Sequence, residues 1–252
     1  MQRIVRGLVA ALAMSSAAGT AAASTFDINL IFTPSVSARV RTLALEAEAI
    51  WESVITGYQG SIDIDQVNII FRETDIDGLG GTLGSAGVLT TTEQEGYTLP
   101  LSGIILLDDP DVIAFDLLGL LDDIILHEIA HILGFGTLWE ENDVYIDGTG
   151  EYTGANALAT YRSEFDSTAT YVPVELDGGP GTANAHWDED WPGGSGALMT
   201  GFIEDGAYLT DTTIASFEDL GYTTIIPLPA PLAFMIGGLG ALALVRRRRR
   251  AA

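Results

Sequence analysis

Asp122-Asp123-Ile124-Ile125-Leu126-His127-Glu128-Ile129-Ala130-His131-Ile132-Leu133-Gly134 reads as a buried helix carrying the pattern H-E-x-x-H. Apolar residues at 124, 125, 126, 129, 132 and 133 leave it without a solvated face, and a helix apolar nearly all round belongs inside a domain. Two imidazoles and a carboxylate in that setting are costly unless something pairs with them. Residues four apart share a helix face, so His127 and His131 can bind one metal ion together. Glu128, next to the first ligand, can reach a water on that ion without being a ligand itself. Taken alone, so short a motif also matches chains whose histidines merely hydrogen-bond within a core.

The histidine count narrows the choice. The chain has 3 histidines, His127, His131 and His186. Catalytic zinc takes three protein ligands and keeps a fourth position open, so His186 is the expected third ligand. The alternative third ligand is a glutamate, Glu151 or Glu164, at a short helix expected over 155–165. A fourth protein ligand such as Asp188 would instead make the site closed and structural.

Working outward, the composition is one-sided. All 35 acidic residues lie between Asp27 and Asp219, where the basic residues are only Arg39, Arg41, Arg72 and Arg162, and lysine is absent throughout. Such a charge repels nucleic acid and anionic lipid and favours solubility, at a cost in self-repulsion that salt relieves. Asp75-Ile76-Asp77-Gly78 and Asp108-Asp109-Pro110-Asp111 are candidate calcium stretches. Neither has the spacing of an EF-hand loop, and solvated surface charge is the plainer reading of both. With 0 cysteines, packing and bound metal must hold the chain together.

Alternation over 26–32 predicts a strand, and Thr33-Pro34 is expected to open an amphipathic helix ending before Gly57. A second strand is expected over 61–73 and a short edge strand over 82–91. Leu101 to Leu107, apolar but for Ser102, predicts a strand buried on both faces. The metal helix is expected to start near Val112, and a last helix is capped by Thr210 or Asp211 and stopped by Gly221. Between Gly136 and Gly196 regularity fades. This order predicts an α/β (α+β) domain over residues 24–226 with a twisted mixed sheet and an irregular C-terminal part.

Both ends read as targeting segments. Met1 to Ala23 has Arg3 and Arg6, a short apolar run and Ala21-Ala22-Ala23, the pattern of a signal peptide cut before Ser24. Pro227-Leu228-Pro229-Ala230-Pro231 precedes an apolar stretch over 232–245 and the block Arg246 to Arg250. This is a membrane or sorting tail, shorter than the ~20 residues of a full helical span. The expected location is therefore exported: periplasm, cell surface or medium.

The run from His127 to Trp139, the segment Gly181-Thr182-Ala183-Asn184-Ala185-His186-Trp187-Asp188-Glu189, and Ala197-Leu198-Met199-Thr200 together resemble leishmanolysin-like zinc peptidases of the metzincin group, bacterial members especially. In the compact metzincin pattern a third histidine follows the glycine by three. Thr137 stands there, and His186 follows Gly134 by 52 residues, as in the leishmanolysin branch. The segments over 81–87 and 212–222 resemble the family's cleft edge and closing helix. The tail is similar to bacterial tails that join a proline motif, an apolar stretch and an arginine cluster.

The resemblance implies a metzincin-like zincin fold, zinc on His127, His131 and His186, a Met-turn at Met199, and protein or peptide substrates. It implies that zinc polarises the scissile carbonyl while Glu128 acts as general base. The 82–91 edge could pair with an extended substrate. The alternative function is an acidic, surface-tethered adhesion module with structural zinc. The cysteines and pro-segment of eukaryotic members are missing, which removes latency by a thiolate.

Overall fold

A computed structural model describes residues 26–202 and 206–225. The leader expected over 1–23 and the tail expected over 227–252 lie outside these residues. Among the described residues no helix is long and apolar enough to cross a membrane.

In chain order the elements are β1 (Ile28–Phe32), α1 (Ala38–Val54), β2 (Ile55–Tyr58), β3 (Val67–Thr74), β4 (Gly84–Gln94), β5 (Tyr97–Asp108), α2 (Asp109–Leu118) and α3 (Leu121–Ile132). There follow β6 (Glu151–Tyr152), α4 (Ala155–Glu164), β7 (Val172–Pro173), α5 (Asp211–Asp219) and β8 (Tyr222–Thr224). The main sheet has the order β1-β3-β5-β4. β1 and β3 run parallel with Ile28 opposite Val67, and β3 and β5 run parallel with Asn68 opposite Ser102. β4 is the antiparallel edge, joined to β5 by a two-residue turn. Glu95 and Gly96 both have positive φ there, at 53° and 86°, as a primed turn matched to strand twist requires. The architecture is thus mixed α/β with a mixed sheet, as the element order predicts.

Strand burial says where the core lies. β3 alternates strictly, with Val67, Ile69, Phe71 and Glu73 inward. β5 does the same over its second half, where Gly103, Ile105 and Leu107 are buried while Ile104 and Leu106 are only partly covered. The expectation that 101–107 is covered on both faces is therefore corrected. The long helices pack on one side, where Trp51 of α1 donates from Nε1 to the Leu126 carbonyl of α3 at 3.0 Å.

Local chemistry moves several expected boundaries. α1 starts at Ala38, because Ser37 is its N-cap and accepts from the Val40 N–H at 3.3 Å. Thr33, expected as that cap, instead donates its hydroxyl to the Phe71 carbonyl of the sheet. Ile55 to Tyr58, expected as helix end, forms β2 and pairs with β8. The strand expected from Ser61 begins only at Val67, and the edge strand is longer than 82–91 in reach, running to Gln94. The helix expected from Val112 onward is two helices, since Gly119 at φ 75° ends α2 in a left-handed turn.

Beyond α3 the chain is held by rings more than by ladders. Trp187 stacks on Trp139 at 5.1 Å and meets Phe135, Tyr152 and Trp191 at 5.0 to 5.8 Å. Tyr152 and Trp139 are fully buried in the same cluster. Thr210 caps α5 by accepting from the Thr213 N–H, and Gly221 at φ 95° follows its end, both as predicted.

Candidate metal centre and catalytic site

α3 presents His127, Glu128 and His131 from a buried helix, each less than a tenth exposed. The helix ends where Gly134 takes φ 110°, a conformation strained for any other residue. Its last carbonyls are satisfied locally: Gly134 N–H donates to the His131 carbonyl at 3.1 Å, and the Thr137 hydroxyl donates to the same oxygen at 2.5 Å. Thr137, which stands where the compact metzincin pattern puts a histidine, thus closes the helix end.

His186 reaches the same point from the irregular half. The three Nε2 atoms lie 2.9 Å (His127 to His131), 3.0 Å (His127 to His186) and 3.1 Å (His131 to His186) apart. Each Nδ1 faces a carbonyl oxygen: Leu198 for His127 at 2.6 Å, Phe135 for His131 at 2.8 Å, Thr182 for His186 at 2.8 Å. A carbonyl only accepts, so each Nδ1 carries the proton and each Nε2 turns its lone pair inward. Burial pushes all three imidazoles down to about 3, with the neighbouring histidine adding to it, so they are neutral at ordinary pH.

Three lone pairs converging in a buried pocket repel one another unless a cation sits among them, and neutral imidazoles oriented through Nδ1–H are the usual zinc-ligand arrangement. The residues therefore fit a zinc ion. Among the described residues no aspartate or glutamate joins this group. Asp188, the candidate fourth ligand, accepts from the Asp190 N–H at 2.8 Å. Glu164, a candidate third ligand, caps α5 by accepting from the Thr212 N–H and hydroxyl at 2.9 and 2.7 Å. Glu151, the other candidate, is exposed on β6.

Glu128, next to His127 on α3, is 8% exposed, and burial raises its carboxyl to about 8. No nearby positive charge offsets that burial, and a dication on the histidines would favour its ionised form. Its Oε1 lies against the start of edge strand β4: a Cβ placed on Gly84 would come within 3.1 Å of that oxygen. Met199 is fully buried next to Leu198, whose carbonyl holds His127, and its own carbonyl accepts from Trp187 N–H at 2.9 Å. The 198–199 segment is thereby tied to both the first histidine and the residue after the third.

Two residues that position the site escape a sequence reading. Gly136, at φ 72°, lets the backbone that carries His186 approach, since a Cβ there would fall 2.3 Å from the Ala185 carbonyl oxygen. The pair Gly134-Phe135-Gly136 signals a turn, but the clearance belongs to a contact 49 residues away along the chain. Gly84 is the other: it lies in the 81–87 segment that resembles a cleft edge, but its approach to Glu128 joins residues 44 apart in the chain.

Comparison with known proteins bears on this region. The family model described as Leishmanolysin, peptidase M8, matches residues 103–225. A leishmanolysin homolog of Crithidia fasciculata is 34% identical over 113 residues, which cover 39% of this chain and 16% of that protein. The chain thus matches only a small share of that relative's length. The family match begins in β5 and ends after β8, so it takes in Glu128, the three histidines and Met199 and leaves β1 to β4 outside. The part of the chain that carries the whole candidate site is the part similar to the leishmanolysin family.

Proposed function

We propose that this chain is a zinc endopeptidase of leishmanolysin type. The observation that carries the reading is the convergence of three inward-facing Nε2 atoms, two of them from the helix that also carries the buried Glu128. His127, His131 and His186 would hold the ion, each fixed by its Nδ1–H on a backbone carbonyl. Bound zinc supplies a Lewis acid for the scissile carbonyl and brings the pKa of water toward neutrality. Glu128 takes the proton of the attacking water and returns it to the leaving nitrogen. Met199 supplies an apolar floor beneath the histidines. β4 is paired on one side only, by β5, so its other edge can accept an extended peptide by strand addition. Gly84 brings that edge against Glu128.

The proposal includes export. A leader over 1–23 and a membrane or sorting tail over 227–252 are supported by their sequence patterns. The reading as an adhesion module with structural zinc is disfavoured, since among the described residues no aspartate or glutamate joins the three histidines and Asp188 accepts within its own turn.

Glu128→Gln tests the mechanism. It keeps size and hydrogen-bonding capacity but removes the base. At equal zinc occupancy, cleavage of a casein-type substrate should fall by about 10²–10⁴. Equal cleavage by variant and wild type would refute the role of Glu128.

A further inference from the structure

The acidic stretches divide in the folded chain. Asp75 and Asp77 are exposed, as solvated charge should be, but Asp108 and Asp111 are 0% and 1% exposed. The expectation of surface charge is therefore corrected for these two. Asp108 is the N-cap of α2 and Asp111 stands three residues on, so their side chains share one face of the first turn. One oxygen of each holds the glycine-rich loop between β3 and β4: Asp108 Oδ1 accepts from Ile76 N–H at 2.5 Å, and Asp111 Oδ1 from Gly80 N–H at 2.8 Å. The other oxygens, Asp108 Oδ2 and Asp111 Oδ2, are buried and make no hydrogen bond.

Two buried carboxylates with an unsatisfied oxygen each need a positive partner. The protein does not provide it. The ion pair seen among the described residues joins Arg39 to Asp116, and no basic side chain pairs with Asp108 or Asp111. The start of α2 offers roughly half a positive charge, against two carboxylates. Nor do the neighbours help, because Asp109 is itself held above its ordinary value by partial burial and then by Glu73, Asp75 and Asp108.

We infer that Asp108 and Asp111 bind a calcium ion between the first turn of α2 and the 75–82 loop. Calcium suits the place because it takes six to eight oxygens in irregular mixtures of carboxylate, carbonyl and water, whereas magnesium demands a near-ideal octahedron. Asp75, Asp77 and Asp109 lie on the same loop and turn and add negative charge at the rim. The ion would clamp the loop that leads into β4. Asp108 N–H already donates to the Leu83 carbonyl at 3.1 Å, and the next residue, Gly84, touches Glu128. The site stands whether or not the histidines hold zinc.

The test uses the full chain, loaded with zinc and stripped of calcium, in salt high enough to screen the acidic surface. Calcorimetric titration with calcium should show one ion with Kd of about 10⁻⁵–10⁻³ M. Calcium at about 100 times Kd should raise Tm by roughly 5–10 °C, and magnesium should do much less. Asp111→Asn keeps the acceptor for Gly80 and removes the charge. It should weaken calcium at least ~10-fold, abolish the Tm rise, and be no less stable than wild type when calcium is absent. A wild-type Tm that calcium leaves unchanged would overturn the site, even if the variant fails to fold. So would a variant that binds calcium as wild type does, or one destabilised equally with and without it.

Discussion

The two halves of this molecule solve the burial problem differently. Residues 26–132 use regular structure: a sheet whose ladders satisfy the backbone and two long helices laid on one face. Residues 133–225 have few ladders, and rings take their place, with Trp139, Tyr152 and Trp187 fully buried among one another. The site is divided the same way, since His127, Glu128 and His131 come from the regular half and His186 and Met199 from the other. A regular element sets its side chains by local hydrogen bonds. An irregular segment sets them by packing against distant residues, and its geometry is therefore easier to break.

The sharpest break of that division is at His186. His186→Ala should lower zinc affinity by more than the ~10²-fold typical of lost outer partners, read by metal analysis after dialysis. Glu164→Ala should keep the metal, because its carboxylate serves α5. Retention of zinc by the first and its loss from the second would make the three-histidine site wrong.

Gly136→Ala comes next. It adds a Cβ 2.3 Å from the Ala185 oxygen at a backbone with φ 72°, so the His186 segment must move. A loss of about 2–4 kcal/mol is expected, with weakened zinc binding. Gly87→Ala in β4 meets nothing within 4 Å and should stay within about 0.5 kcal/mol of wild type by denaturant melts. Similar losses at the two positions would dissolve the contrast between the halves.

Trp187→Phe probes the ring cluster itself. It removes part of a fully buried stack and the Nε1–H donated to Thr213 Oγ1 at 2.9 Å. The expected cost is about 1–3 kcal/mol. Hydrogen exchange should quicken in 133–225 before it does in the sheet. The smallest effect is at Thr137. Thr137→Val removes the hydroxyl donated to the His131 carbonyl and should cost about 1 kcal/mol with zinc stoichiometry unchanged.

What the sequence by itself determined lies within one turn or one strand. The spacing of His127, Glu128 and His131 follows from helical periodicity, the alternation of β3 from its pleat, and the ends of α5 from Thr210 and Gly221. These readings need only neighbours a few residues away. The scarcity of histidine also pointed to His186. The tertiary structure alone brought His186 Nε2 to 3.0 Å from His127 Nε2 across 59 residues, set the Ala185 backbone against Gly136, and placed Gly84 against Glu128. It also decided which faces were covered. Leu101 to Leu107 is apolar on both sides but buried mainly on one, and Asp108 and Asp111 look like surface charge in a strongly acidic chain yet lie inside. Hydrophobic pattern states what a side chain prefers, whereas burial depends on which distant elements are laid over it, and that is settled only when the chain closes on itself.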